Sequence, residues 1–158
     1  MTQEQDNQQL LELAKQQADK VIGKIPLLGA VSWLMLQKPG TRHTLLSELE
    51  WRVMPPLMFD QAKLYMRDKM PLAYVSWAYL SEEAAQRFQK APHHLMPSDW
   101  KSGNQVWIVD LCVPFGGAQD IMKDLQGAAL KDRVIHQFTL DGAGELAVMT
   151  WPEPAEPT

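Results

Sequence analysis

Cysteine is nearly absent. Cys112 is the only one among 158 residues, so the chain can build no intrachain disulfide framework, and its composition argues against a cysteine-based metal site. Set in an apolar strand, that thiol is read as buried and inert. Basic clusters are missing too: fifteen Lys and Arg stand against nineteen Asp and Glu, giving a formal charge of −4 with no basic block. That leaves no electrostatic footprint for a nucleic acid. No apolar run reaches the roughly 20 residues of a membrane span. The opening MTQEQDNQQLLELAKQQADK lacks the basic start and apolar middle of a signal peptide. The expectation is a cytoplasmic protein.

With 46% hydrophobic residues, the chain can bury one core and form one domain. From Asn7 to Ile22, apolar residues recur at helical spacing among Gln, Lys and Glu, which predicts an amphipathic helix ended by Gly23 and Pro26. Pro26–Gln37 is apolar all round and reads as a buried helix stopped by Pro39-Gly40. A third helix is expected from Thr41 or Thr44 to Met54, with Leu45, Leu46, Leu49 and Val53 on one face and Pro55-Pro56 ending it. Gln61–Arg67 and Leu72–Tyr79 suit a hairpin around Asp68-Lys69, and Ser81 is a candidate N-cap for a helix to about Lys90. A loop then leads to the strand of Asp110. Gly116-Gly117 opens a helix from about Ala118 to Leu130, and two last strands turn at Asp141-Gly142. The order predicts an α+β domain with a mostly antiparallel mixed sheet flanked by helices. Residues 1–26 form an N-terminal helical extension, 27–151 the main domain, and 152–158 a disordered tail.

The stretch Val106-Trp107-Ile108-Val109-Asp110-Leu111-Cys112-Val113-Pro114-Phe115-Gly116-Gly117 holds the chemical anomaly. A carboxylate inside an otherwise apolar strand is costly unless it is paired, hydrogen-bonded or open to a cleft. The simpler reading is a strand with one edge in water. The glycine turn that follows can offer backbone N–H groups to a phosphate or thioester oxygen, although a plain β-to-α turn is the simpler explanation.

Four blocks in fixed register carry a resemblance. They are Leu28-Gly29-Ala30-Val31-Ser32-Trp33-Leu34, Pro71-Leu72-Ala73-Tyr74-Val75-Ser76-Trp77-Ala78-Tyr79-Leu80-Ser81, Asp99-Trp100-Lys101-Ser102-Gly103, and Trp107-Ile108-Val109-Asp110 with Pro114-Phe115-Gly116. Together they resemble the RTX toxin-activating lysine acyltransferases, the hemolysin-activating family, without a gap from Leu28 to Gly116. The resemblance implies a fold like that of the GCN5-related N-acetyltransferases and a homodimer. It also implies transfer of a fatty acyl chain from acyl carrier protein to internal lysine ε-amines of an RTX protoxin, or of a related RTX protein such as an adhesin. Acyl carrier protein and the RTX protein are then the partners, and no metal or further cofactor is implied. Asp110 stands at the family's catalytic aspartate. Phe115, Gly116 and Gly117 are candidates for holding the thioester.

The chain departs from the family at one place. Where the family has Ser-Pro-Xaa-His-Arg, it reads Lys38-Pro39-Gly40-Thr41-Arg42, so Thr41 stands at the histidine position and Lys38 at the serine. A lysine amine, with an unperturbed pKa of about 10.4, must lose a proton before it attacks a thioester. His43, two positions on, is the candidate replacement. In a helix those two positions would turn it away by about 200°, whereas a turn at Gly40 would let it approach Asp110. His93, His94 and His136 are weaker candidates, the first two as surface residues or contacts for the carrier protein and the last as a structural one. Two functions follow: an acyltransferase using Asp110 with His43, or a noncatalytic relative that binds acyl carrier protein or an RTX partner.

Overall fold

The structure, a computed structural model, describes residues 2–152. Of the tail read as disordered, all but Pro152 lies outside the described residues. Two of the expected helices are one: α1 runs unbroken from Gln3 to Gln37 with Pro26 inside it. Proline removes one helical hydrogen bond. Pro26 is exposed, so water can satisfy the carbonyl it leaves free. Downstream, Val31, Leu34 and Met35 anchor the helix by one face only, while Trp33 and Leu36 stay open, so this segment is not buried all round.

The third expected helix also has different bounds. Residues 38–47 form turns, and two short helices follow: α2 (Glu48–Arg52) and α3 (Met54–Met58). Pro55-Pro56 lies in the first turn of α3, where proline's missing N–H costs nothing, so it opens a helix instead of closing one. Leu45 and Leu46, predicted to share a buried face, are 67% and 85% exposed in those turns.

The sheet comprises β1 (Ala62–Arg67), β2 (Met70–Leu80), β3 (Gln105–Cys112), β4 (Ile135–Leu140) and β5 (Leu146–Trp151), in sequence order. All neighbours are antiparallel except β3 and β4, which pair in parallel at Val106↔Ile135 and Trp107↔His136 only. Beyond those pairs, β3 and β4 lose their mutual hydrogen bonds. The long β2 crosses to β3 through α4 (Glu82–Phe88), whose N-cap Ser81 accepts from Ala84 N. On one face of the sheet, Ala73, Val75, Trp77, Val106 and Ile108 pack against α5 (Ala118–Gly127) through Ile121, Met122 and Leu125. The other face is covered by α4 and its loop, and by α1 and α3 over Tyr74 and Cys112.

The block Asp99-Trp100-Lys101-Ser102-Gly103 is a clamp between β2 and its loop. Tyr79 N donates to Trp100 O, and Tyr79 O accepts from Ser102 N and Gly103 N. Asp99, 5% exposed, accepts from Arg87 and from Met96 N.

Candidate functional site

A bulge decides where Asp110 points. Ser76 pairs with Asp110, but the next residue, Trp77, pairs with Ile108, so Val109 is an extra residue in β3. Side chains alternate along a strand, and one extra residue reverses the alternation. Before the bulge, Val106 and Ile108 face α5; after it, Leu111 does, and Cys112 faces α1. Without the bulge, Asp110 would share the face of Val106 and Ile108, inside the core. The freed Asp110 N–H donates to Ser76 Oγ at 3.2 Å, a fully buried contact that satisfies the group the bulge displaces.

Asp110 lines a cavity of about 260 Å³ with Lys38, Thr41, Arg52, Tyr74 and Phe138, near where β3 and β4 part. Arg52 Nε lies 2.9 and 2.8 Å from its two carboxylate oxygens, and Arg52 Nη2 lies 2.6 Å from Oδ1. This is a two-pronged, charge-assisted grip. Burial pushes the Asp110 carboxyl up from its ordinary value, while the hydrogen bonds and charge of Arg52, and the charge of Lys38, pull it down; the balance is upward. Burial works against the Arg52 charge too, but the Asp110 contacts outweigh it and raise that group. The Tyr74 hydroxyl is buried at the same cavity with no hydrogen-bond partner among the described residues. Burial first, then the Asp110 charge, push its phenol upward against a smaller downward pull from the nearby Ser76 hydroxyl and the Arg52 charge, so it remains a proton donor.

Lys38 and Thr41, the positions read as the family's serine and histidine, line this cavity together with Asp110. Lys38 Nζ donates to Leu111 O at 3.0 Å, and Thr41 Oγ1 donates to Met35 O at 2.7 Å. Thr41 is therefore a buried hydroxyl committed to closing α1, with no basic nitrogen to offer. His43 is exposed, follows it in a turn and does not line this cavity. Phe115, Gly116 and Gly117 lie past the end of β3, also outside the cavity lining. Phe115 is 59% exposed with its ring 6.2 Å from Trp33, and Gly117, at φ 90°, is the residue before α5. His136 stacks on Trp107 at 4.8 Å and its Nδ1 lies 3.1 Å from Val106 O, a structural placement. No group of three or more metal-ligating side chains occurs among the described residues. Likewise, no helix among them is long and apolar enough to cross a membrane.

Arg52 and the bulge leave little trace in the sequence. Arg52 is one charge in a five-residue helix, too short to show a periodic pattern, although a lone cation between Trp51 and Val53 hints at a buried partner.

The fold and site define an α+β protein with one buried carboxylate at a polar cavity beside a splayed sheet. Comparison with known sequences carries this to a family: residues 20–152 match the RTX toxin acyltransferase family, and the chain belongs to it. It is 35% identical over 100 residues to the RTX-II toxin-activating lysine-acyltransferase of Actinobacillus pleuropneumoniae, covering 63% of this chain and 62% of that protein. A protein-lysine myristoyltransferase of Escherichia coli is 37% identical over 92 residues, 58% of this chain and 54% of that one. The lysine-acyltransferase of Vibrio cholerae is 27% identical over 118 residues, 73% and 77% of the two chains. The first two matches thus span little more than half of those relatives.

Proposed function

We propose that this chain transfers a fatty acyl group from the thioester of acyl carrier protein to internal lysine ε-amines of an RTX protoxin or a related RTX protein. The observation that carries the reading is Asp110 itself, turned by the bulge into a polar cavity that also receives positions 38 and 41. The fold is read as GCN5-related N-acetyltransferase-like, supported by the opening between β3 and β4 beside the bulge. Residues 27–151 form the acyltransferase unit, residues 1–26 its helical extension. A homodimer in the cytoplasm completes the proposal.

The chemistry asks for three things. Asp110, an anion next to Arg52 and Lys38, orients and charge-stabilises groups that become cationic during attack. The Tyr74 hydroxyl is a free donor for a carbonyl oxygen, and the N–H groups that open α5 after Phe115, Gly116 and Gly117 are the donors proposed for the thioester. A histidine accepts the amine's proton. His43, two residues past Thr41, serves when its exposed turn swings toward the cavity.

A second reading has its own support: Thr41 carries no base, and Arg52 already neutralises Asp110. The chain would then bind acyl carrier protein or an RTX partner without modifying it. Incubation with myristoyl-acyl carrier protein and an RTX protoxin, followed by mass spectrometry of the protoxin, separates the two. Acylated lysines establish the enzyme; binding without acylation establishes the second reading. Unchanged transfer by H43A removes His43 from the mechanism.

A further inference from the structure

A second cavity of about 270 Å³ lies against the first and shares Arg52, Val109 and Phe138 with it. Helix α2 borders both, Arg52 being common to the two linings. Residues three and four apart lie side by side on a helix, so Glu48, Trp51 and Arg52 stand together. Arg52 reaches into the first cavity and grips Asp110, while Glu48 and Trp51 line the second with His93 and His94. Trp51 Nε1 donates to Glu48 Oε2 at 2.7 Å, which fixes the carboxylate. The His94 ring stacks on the Trp51 ring at 4.5 Å and 30°, with its Nε2 3.4 Å from the same Glu48 oxygen. Its neighbour anchors the loop: His93 Nδ1 lies 2.8 Å from Phe88 O, and its ring meets Phe138 edge-on at 5.2 Å.

We infer that His94, oriented by Glu48, is the proton acceptor for the attacking lysine, the part Thr41 cannot play. The inference rests on the acyl-transfer reading above. The Glu48 carboxylate faces Nε2, so Nδ1 is the ring nitrogen turned away from it. Stacking on Trp51 sets the plane of the ring. His93 is tied to the Phe88 carbonyl and serves as an anchor, whereas His94 is half-exposed and open to an incoming amine.

The step balances. The lysine ammonium releases one proton to solvent, and as the neutral amine attacks the thioester carbonyl carbon its nitrogen gives a second proton to His94 Nδ1. The new C–N bond forms as the C–S bond breaks, and the departing thiolate of the carrier arm takes a proton from the imidazolium. The products are the lysine amide and the free thiol, and His94 returns to its neutral state. Glu48 is a positioning residue that touches no reacting atom.

The test uses the full chain, myristoyl-acyl carrier protein and an RTX protoxin under single-turnover conditions. H94A and H94Q are expected to slow transfer by about 10²–10⁴-fold, the contribution of a positioned base. Added imidazole is expected to restore part of the H94A rate, a rescue that lost packing would not permit. E48Q lowers the saturating single-turnover rate and leaves the half-saturating protein concentration unchanged. Wild-type transfer that H94A retains in full overturns the His94 assignment and leaves acyl transfer standing. No transfer by the wild-type chain overturns both.

Discussion

Arg52 grips both carboxylate oxygens of Asp110, at 2.6 to 2.9 Å, from a helix 58 residues earlier in the chain. The contact joins α2 to β3 and keeps a buried anion paired. Removing one member of such a pair leaves the other charged and alone, so R52A is expected to cost about 3–5 kcal/mol of stability near neutral pH. The loss should shrink in acid. Asp110, raised by burial, will rise further without its cation, so the folded state holds a proton that the unfolded state has released. Stability then falls as pH rises through that interval and recovers as pH is lowered. Urea denaturation of R52A and wild type across the acid range measures the convergence.

Ser76 presents a subtler dependence. Its hydroxyl is the partner of the amide that the bulge takes out of the ladder, and the site is closed to water. S76A is expected to destabilise by about 1–3 kcal/mol, the cost of a buried N–H without a partner. Because that amide belongs to Asp110, transfer should fall further than stability alone explains. Thermal unfolding and transfer rate, measured on the same preparation, check both parts.

Much of the frame was legible in the residues. The aromatic and β-branched runs on either side of Asp68-Lys69 predicted the hairpin there, Ser81 capped α4 as its type predicts, and the apolar run around Asp110 became β3. Prolines misled for a positional reason. Pro26 lies where water can replace the lost hydrogen bond, and Pro55-Pro56 lies where none is needed. The orientation of Asp110 was hidden because period-two alternation assumes an unbroken ladder, and Val109 breaks it. Asp110 and His94 meet Arg52 and Glu48 of α2 only through tertiary packing, with no local pattern to announce them.

Gly103 bears on the blocks that first pointed to the family. A Cβ there would lie 2.5 Å from Ser81 N and Cα and 2.6 Å from Leu80 O, all backbone atoms. Nothing flexible can yield, so G103A must push the loop off the end of β2. A loss of about 1–3 kcal/mol is expected, as for other overpacked sites. The measurement is the urea midpoint, and a midpoint equal to that of wild type would contradict the close approach. Its sequence block therefore serves the scaffold, and matching that block says less about catalysis than matching Asp110 does.

Thr41 is the position at which the mechanism can be tested by restoring a group instead of deleting one. It lines the Asp110 cavity, whose volume of about 260 Å³ leaves room for a larger side chain. T41H gives up the hydroxyl contact with Met35 O and puts an imidazole at the lining of the cavity that Asp110 shares. If His94 supplies the missing base, H94A should lose transfer and T41H/H94A should regain at least part of the about 10²–10⁴-fold loss. Rates with myristoyl-acyl carrier protein, compared across the two single variants and the double, decide it. A folded T41H/H94A no faster than H94A would mean that position 41 does not face the reacting amine, and the register with the family's histidine would fall with it.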